Sequence, residues 1–402
     1  MRVFYIDPFL KYDFGHYFEA ALAIKDFFRN QKKLTQCLVG NVGISEKARK
    51  FIGAMVPFVR QTCFQDLENK GKSFAEDLVN LSKKFSFTEK DLLFIPAAYE
   101  NQILGVAEFI NHRKSQKKAV PKIALQFHQI YPPTKESDDV MKAEFRGGWE
   151  KRLEKAFSLI KNSQVSLWST EAILLNQKLA RLSQGKVGIL PVPFIFPKKV
   201  SPQIPKHKIT IGFIGDGRQE KGLSLFLRII PALTERKANL NFVIQNLSPR
   251  GFSDHQENEF ANLLKMAAGF KNVKIINGAL SPERYNKLLC EIDIVVLPYN
   301  PQNYCQRASG ILMQASIYQK PMIVSRGTWM EKAIMGKRAS GLIFEYADSS
   351  SKTSENLLAS LEVMVDNLGR YRQLAKSNSG YYRENCNSSQ LIKTLIRHYE
   401  KK

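Results

Sequence analysis

The chain has 402 residues and a formal net charge of +23, and 44% of its residues are hydrophobic. This length is more than one hydrophobic core ordinarily supports, so the sequence predicts two domains. The positive charge predicts a surface that attracts phosphorylated ligands, anionic lipid or other polyanions, and charge alone does not choose among them. The five cysteines are scattered without a Cys-x-x-Cys pair, which argues against a disulfide framework or a structural zinc site and favours a reducing compartment.

No run of about 18 apolar residues is present to cross a bilayer, and the N-terminal residues lack the apolar region of a signal peptide. We therefore expect a cytoplasmic protein, either soluble or bound peripherally to the inner face of a membrane.

The first half of the chain alternates short apolar strands with amphipathic helices. Helical spacing is clear at 16–28 and 101–110. The predicted strands are 2–6, 35–40, 91–96, 122–128 and 165–169. This alternation predicts a parallel sheet covered by helices on both faces.

A basic stretch, residues 188–208, interrupts the alternation with five prolines. Such a composition is typical of a linker rather than of a packed element. We place the linker at 196–207, between an N-terminal domain (1–195) and a C-terminal domain (208–380).

The second half repeats the alternation and ends in a predicted long helix pair after Ser350. Its predicted strands are 209–215, 241–246, 273–277, 293–299, 321–325 and 341–345. Two Rossmann-like halves joined by a hinge predict a ligand cleft between the domains, at the carboxyl ends of the strands.

A strand, a glycine turn and a helix follow one another in residues 211–227, with Arg218 and Lys221 just before the helix. Gly215 and Gly217 accept backbone angles that other residues avoid. The free amides and the positive dipole end at a helix start attract anions, most often phosphate. Taken alone, the stretch is equally consistent with an ordinary strand, turn and helix in which Lys221 is solvated.

Three segments occur in one order: "GDGRQEKG" (215–222), 273–299 and 309–330. Together they resemble the nucleotide-sugar-binding domain of a GT-B glycosyltransferase, in particular the retaining glycosyltransferase family 4. The resemblance implies an α/β GT-B fold, in which two Rossmann-like parallel-sheet domains face a central cleft. It also implies that the C-terminal helix, 381–402, crosses back to the N-terminal domain.

The resemblance makes Lys221 and Arg218 candidate catalytic residues that would grip the donor diphosphate. Fixed cations stabilise the negative charge that develops on a departing nucleoside diphosphate. The family's Arg usually stands about five or six positions before the Lys, and here Asp216 is near that place. The match is therefore firmer at Lys221 than at Arg218.

The remaining donor-binding candidates follow from the second and third segments. The resemblance places the base of the donor against the backbone of Gly278, Ala279 and Leu280. Where the family carries Glu-x7-Glu to bind donor hydroxyls, this chain has Gln306 and Gln314. Neutral amides keep hydrogen-bonding capacity for hydroxyls but form weaker bonds than carboxylates. Ser309 and Gly310 begin the same helix and offer amides to phosphate or sugar oxygens.

The N-terminal half resembles the family more loosely. The resemblance places Gly15, in the loop after the first strand, near the diphosphate. It places His128, at a strand end, against the donor sugar as a third catalytic candidate; the alternative is a satisfied core histidine. His16 faces either the cleft or the surface. Ser169 and Thr170 end a strand, and an N-cap of the following helix is the favoured interpretation.

No Asp-x-Asp motif and no carboxylate cluster with metal-ligand spacing occurs, so we expect neither a metal nor a cofactor. Asp138 and Asp139 are interpreted as a solvated helix start, and Asp293 as a solvated or capping residue. The reaction that the resemblance implies is retaining transfer of a sugar from a nucleoside-diphosphate sugar to a hydroxyl. The acceptor is expected to be a glycan or lipid-linked glycan of surface polysaccharide synthesis. The basic stretches 45–61 and 111–122 suggest peripheral contact with anionic membrane, although ordinary solvated helix faces explain them as well.

Other functions stay open on the sequence. An epimerase, or a catalytically weakened relative, would bind the same nucleotide sugar without transferring it, and the two glutamines make the weakened relative credible. A nucleic-acid-binding protein agrees with the charge, but no nucleic-acid-binding motif supports that partner.

Overall fold

The computed structural model describes residues 1–29, 31, 34–61, 71–130, 143–161, 163–195, 208–237, 239–246 and 254–400. These residues form two compact units. Within the described ranges, the first unit comprises 1–130, 143–195 and 386–400, and the second comprises 208–385. The predicted linker, 196–207, and the pair Asp138 and Asp139 lie outside the described residues.

The described part of the first unit is built on a parallel sheet. Its strands are β1 (Arg2–Ile6), β2 (Thr35–Asn41), β3 (Val56–Val59), β4 (Leu92–Ile95), β5 (Lys122–Phe127), β6 (Val165–Ser169) and β7 (Val187–Ile189). They lie in the order β3-β2-β1-β4-β5-β6-β7, and every neighbouring pair is parallel. The helices between them are α1 (His16–Arg29), α2 (Glu46–Ile52), α3 (Lys72–Phe85), α4 (Glu100–Ser115), α5 (Ala143–Ile160) and α6 (Ile173–Ser183).

The described part of the second unit is a second parallel sheet. Its strands are β8 (Ile209–Phe213), β9 (Leu240–Asn246), β10 (Val273–Asn277), β11 (Ile294–Leu297), β12 (Met322–Ser325) and β13 (Gly341–Phe344). Their order is β10-β9-β8-β11-β12-β13, again with parallel neighbours. The helices are α7 (Leu223–Arg236), α8 (Asp254–Ala268), α9 (Pro282–Glu291), α10 (Pro301–Tyr304), α11 (Gly310–Ile317), α12 (Trp329–Met335), α13 (Ser350–Asp366), α14 (Leu368–Asn378) and α15 (Gly380–Asn385).

These sheets confirm the predicted fold class of two parallel α/β domains. All predicted strands are present. They could be predicted because strands that are buried on both faces have continuous apolar sequences. Residues 92–95 and 294–297, in the middle of the two sheets, are buried throughout. In the first sheet, β1 lies next to β4, and in the second sheet β8 lies next to β11. Because these neighbours are parallel, the carboxyl ends of β1 and β4 lie side by side, and so do those of β8 and β11.

The C-terminal helix, α16 (Ser388–Glu400), belongs to the first unit. Leu391, Ile392 and Leu395 of this helix join the hydrophobic core that lies against α1 and β1. The hydroxyl of Tyr399 donates to the carbonyl of Ile123 at 2.6 Å and lies 2.5 Å from Ser166 Oγ. The chain after Ser350 is therefore four helices and not the single pair that the sequence predicted.

The expected linker stretch is wrong at its beginning. Residues 187–189 form β7, which pairs in parallel with β6. Leu190, Val192 and Phe194 are buried after it, and the Leu190 carbonyl accepts a hydrogen bond from Gln126. Prolines at alternate positions are compatible with an extended chain that packs through the residues between them.

Two side-chain expectations are also wrong. Helix α6 is capped at Ala172 without a side-chain bond, so Ser169 and Thr170 are not its N-cap. Ser169 instead accepts a hydrogen bond from Asn176 at 3.0 Å. Asp293 is buried rather than solvated: it accepts the backbone N–H of Thr210 at 2.9 Å and pairs with Arg372 at 2.8 Å. This aspartate stabilises the join between β8 and β11.

Candidate functional site

The loops after β8, β9 and β10 are tied together in the second unit by one buried side chain. Gln245, in β9, accepts the N–H of Gly215 at 2.9 Å and donates to the carbonyl of Gly278 at 3.3 Å. Gly278 also donates its N–H to the carbonyl of Asn246 at 3.0 Å. The diphosphate candidate loop and the base candidate loop are therefore positioned relative to each other.

Glycine is required where the β8 loop approaches α11. Gly215 has a φ of +109°, and a Cβ at this position would lie 2.5 Å from Cδ1 of Ile311 and 3.6 Å from Nζ of Lys221. A side chain would collide with the first turn of α11 and fill the space beside the ammonium group. The backbone of Gly215 thus passes directly beside Lys221.

Lys221 is held in a buried position just before α7. It ends a short 3-10 turn (Gln219–Lys221), and only 9% of its surface is exposed. Its Nζ lies 5.7 Å from the centre of the Tyr299 ring, a distance at which a cation is attracted to an aromatic face. The next residue, Gly222, has a φ of +70°, and a Cβ there would lie 2.2 Å from the carbonyl oxygen of Pro298. This close approach fixes the turn against the end of β11.

Arg218 lies beside Lys221, and each of its three side-chain nitrogens is close to a different oxygen atom. Nε is 3.1 Å from Asp216, Nη1 is 2.8 Å from Glu220, and Nη2 donates to the hydroxyl of Tyr304 at 3.2 Å. Burial acts to lower the pKa of Arg218, but Tyr304, Glu220 and Asp216 outweigh burial and raise that pKa above its ordinary value. Arg218 is therefore a permanent cation whose charge is balanced by two carboxylates.

Sequence reasoning missed Glu220 and Arg307. Glu220 is buried, and its Oε1 lies 3.0 Å from Nη1 of Arg307 in addition to its contact with Arg218. The hydroxyl of Tyr304 donates to the same oxygen at 3.4 Å. Burial raises the pKa of Tyr304 to about 12, so the phenol stays protonated. The available signal was a cation immediately after Gln306, which the spacing of the two glutamines obscured.

Several donor-binding candidates lie in or just before α11, whose first turn packs beside Gly215. Ser309 caps the helix by accepting the N–H of Leu312 at 3.2 Å, and Gly310 is its first residue. Gln314 lies on this helix and is half-buried, and Gln306 is half-buried in the segment before it. At the base candidate loop, Gly278 has a φ of +86° with open space at its Cβ position. Ala279, next in that loop, is exposed and Leu280 is half-buried.

The candidates of the first unit form a separate group. His128 follows β5, and its ring centre lies 5.6 Å from that of His16, at the start of α1. Burial lowers the pKa of His128 to about 4, against a hydrogen bond to the Pro96 backbone that acts to raise it. His128 is therefore a neutral imidazole at neutral pH. Gly15, directly before α1, is exposed and has a φ of +83°.

A small pocket joins these histidines to the core of the first unit. Its lining is apolar except for the two imidazoles, the phenol groups of Tyr5 and Tyr17, and the buried amide of Gln126. The lining residues are Tyr5, His16, Tyr17, Ala20, Phe94, Pro96, Gln126, His128, Val192, Pro193 and Leu391. His16 is exposed at the helix start and also lines this pocket.

The basic stretches of the first unit are more paired than the sequence suggested. In 45–61, Lys47 pairs with Asp13 at 2.5 Å, and Arg60 pairs with Asp77 at 2.6 Å. In 111–122, Arg113 is buried and donates to the carbonyls of Ala119 and Phe87. Arg113 is therefore a structural residue and not part of a solvated basic face.

The described ranges contain neither a metal-binding cluster nor a membrane-spanning helix. No group of three or more His, Cys, Asp or Glu side chains is arranged there to hold a metal ion. In those same ranges, no helix combines the length and the apolar composition that a membrane span requires.

The two parallel sheets with their strand-end loops match the GT-B fold of solved structures. Sucrose-phosphate synthase from Thermosynechococcus elongatus superimposes with a TM-score of 0.64 at 12% identity, covering 100% of this chain and 98% of that chain. Anabaena HepE in complex with UDP gives a TM-score of 0.66 at 11% identity and covers all of both chains. A glycosyltransferase from Rickettsia africae gives 0.63 at 12% identity, covering 100% of this chain and 97% of that chain.

These structures are GT-B glycosyltransferases, and this chain has the same GT-B fold of two parallel-sheet α/β domains. HepE has also been solved in complex with UDP-glucose. No protein-family model matches the sequence, and no curated protein matches it. Membership of glycosyltransferase family 4 stays a prediction.

Proposed function

We propose that this protein is a glycosyltransferase that moves a sugar from a nucleoside-diphosphate sugar to a hydroxyl of a glycan or lipid-linked acceptor. The observation that carries the proposal is the buried ammonium of Lys221, which lies beside the bare backbone of Gly215 at the carboxyl end of β8. A buried cation next to a glycine loop is suited to an anion that approaches the backbone closely. The UDP and UDP-glucose complexes of HepE, which shares the fold, favour a nucleotide sugar as that anion.

The proposed donor site assigns a part to each candidate of the second unit except Arg218. Lys221 contacts the diphosphate and stabilises the charge that develops as the bond to the anomeric carbon breaks. The amides at Ser309 and Gly310 support the same group. The loop from Gly278 to Leu280 holds the base, and Gln306 and Gln314 bind hydroxyls of the sugar and ribose.

The retaining course of the reaction follows the resemblance to family 4. The acceptor hydroxyl approaches from the face that the diphosphate leaves, and the departing phosphate receives its proton. His128, neutral because burial lowers its pKa to about 4, is suited to donate or accept a hydrogen bond at the donor sugar without carrying charge. Lys221 supplies the positive charge that would otherwise come from a metal ion, which is the basis for proposing metal-independent transfer.

We propose that the acceptor is a growing surface polysaccharide or its lipid-linked precursor, reached from the cytoplasmic face. Phe51, which is 47% exposed, lies in the last turn of α2 next to Arg49 and Lys50, a combination that suits contact with an anionic leaflet. Co-sedimentation with vesicles of anionic lipid at low salt tests this part. Loss of the pellet in Phe51→Ser is expected, and wild-type protein that stays in the supernatant contradicts membrane contact.

A thermal-shift panel of UDP-, GDP-, ADP- and dTDP-sugars tests the donor proposal. A ligand at about 100 times its Kd adds roughly 2.7 kcal/mol to the free energy of unfolding, which is well within detection. One of the four is expected to raise the Tm, and release of the matching nucleoside diphosphate should follow when acceptor is added. The absence of a shift with all four contradicts the proposal.

The two amides favour one alternative, a nucleotide-sugar-binding protein without transferase activity. Gln314→Glu restores a carboxylate on α11 at a half-buried position. If only the variant binds or transfers the donor, the natural chain is a weakened relative. Release of a free epimerised sugar in the absence of any acceptor indicates an epimerase instead.

A further inference from the structure

We infer that Arg307, and not Arg218, is the guanidinium that contacts the phosphates of the donor, and that Arg218 is a positioning residue. The inference rests on the proposed function and names a further binding residue in the same site. It reverses the role that the family resemblance gave to Arg218.

The two arginines share one carboxylate oxygen. Nη1 of Arg218 lies 2.8 Å from Oε1 of Glu220, and Nη1 of Arg307 lies 3.0 Å from the same atom. The two Nη1 atoms are therefore at most about 5.8 Å apart, the sum of those distances. Glu220 is adjacent to Lys221, and its backbone carbonyl accepts the N–H of Asn300 at 2.8 Å, so the carboxylate is anchored at the site.

The two arginine side chains are exposed to a similar extent, but they differ in the number of oxygen atoms that they contact. The side chains of Arg218 and Arg307 are 24% and 18% exposed. Nη1 of Arg218 pairs with Glu220 and its Nη2 donates to Tyr304, while its buried Nε lies 3.1 Å from Asp216 without a hydrogen bond. Among the described residues, the polar contact of Arg307 is made through Nη1 alone, with Glu220.

The carboxylates near the two guanidinium groups also favour Arg307 as the phosphate contact. An anion that approaches Arg218 meets the carboxylates of Asp216 and Glu220 within about 3 Å of that guanidinium. In the part of the chain that the structure describes, the carboxylate paired with Arg307 is that of Glu220, which also pairs with Arg218. Of the two guanidinium groups, Arg307 therefore has the less compensated positive charge.

The geometry of Arg307 suits a phosphate. A guanidinium that is fixed through Nη1 presents Nε and Nη2 as two parallel donors, which match two oxygens of one phosphate group. The ring of Tyr304 lies 5.8 Å from its carbon centre and limits the motion of the side chain. Arg218 in turn holds Glu220, which orients Arg307.

The test measures binding of UDP, GDP, ADP and dTDP, and of inorganic pyrophosphate, by titration calorimetry with the full chain. Arg307→Gln should raise the Kd of the diphosphate by about 10- to 100-fold, which is the loss of affinity expected for a charged hydrogen-bonded contact. Arg218→Gln should lower the Tm more than Arg307→Gln and weaken binding less than fivefold. Arg236→Gln, an exposed control on the same unit, removes the same charge and should change neither value.

Two results in the variants overturn the inference. Binding by Arg307→Gln within about twofold of wild type, or equal losses in the Arg307 and Arg218 variants, shows that Arg307 is not the preferred contact. Arg307→Lys, which keeps the charge but not the paired donors, replaces Arg307→Gln if that variant does not fold, and a loss of about 10-fold is again expected. A wild-type chain that binds none of the diphosphates overturns both this inference and the proposed donor site, whereas binding of pyrophosphate alone supports Arg307 and contradicts the nucleotide.

Discussion

Asp293 is predicted to stabilise the join between β8 and β11, on which the Lys221 loop depends. Substitution by Ala leaves the N–H of Thr210 without its acceptor in a residue that is only 7% exposed. An unsatisfied buried donor costs about 1–3 kcal/mol. The ion pair with Arg372 adds at most about 1 kcal/mol, because the Arg372 side chain is 38% exposed. We therefore expect Asp293→Ala to lower the free energy of unfolding of the second unit by about 2–3 kcal/mol.

Asp293→Asn is the matched control, since an amide oxygen still accepts from Thr210 while the charge is lost. It should cost at most about 1 kcal/mol. Hydrogen–deuterium exchange of the peptides that contain β8 and β11 separates the second unit from the first, and a loss of about 2 kcal/mol corresponds to roughly 30-fold faster exchange. If Asp293→Asn accelerates exchange as much as Asp293→Ala does, the ion pair and not the buried acceptor is the source of stability. If neither variant changes exchange, the proposed stabilising role is wrong.

Two further predictions concern the first unit. Burial raises the pKa of Asp7 to about 7, so the folded state keeps a proton that the unfolded chain releases near pH 4. The free energy of unfolding should therefore fall as pH rises from about 4 to about 7, by up to about 4 kcal/mol relative to Asp7→Asn, which still accepts the N–H of Phe9. Urea titrations at several pH values measure this difference, and a difference that does not vary with pH contradicts it. Separately, Tyr399→Phe removes the hydroxyl that donates to Ile123, and should cost about 1–3 kcal/mol by the same titration, whereas Tyr12→Phe, an exposed control, should cost less than about 0.5. Equal effects of the two substitutions would show that α16 does not depend on this bond.

The predictable part of the fold was the central part of each sheet. Strands such as β4 and β11 are buried on both faces and therefore appear as apolar runs that no other element explains. The two strands that sequence reasoning missed, β3 and β7, are four and three residues long and lie at the two edges of the first sheet. Pro57 in β3 and Gly188 in β7 are residues that argue against a central strand, and edge positions tolerate both.

At the candidate site, sequence reasoning found the residues that lie in one local pattern and missed those that act over distance. Lys221 was recognisable because the strand, glycine turn and helix are contiguous. Asp293 was misread because its partners, Thr210 and Arg372, are 83 and 79 residues away. Arg307 was missed for the same reason, since its partner Glu220 is 87 residues earlier in the chain.

We propose that Lys221 holds the diphosphate of a nucleotide-sugar donor. The most direct test of this proposal is titration calorimetry of the wild-type chain, Lys221→Gln and the exposed control Lys208→Gln with the nucleoside diphosphate that raises the Tm of the wild type. Loss of a charged hydrogen bond predicts at least about 10-fold weaker binding by Lys221→Gln, with an unchanged Kd for Lys208→Gln. An equal Kd for wild type and Lys221→Gln, with both proteins folded, would contradict the account.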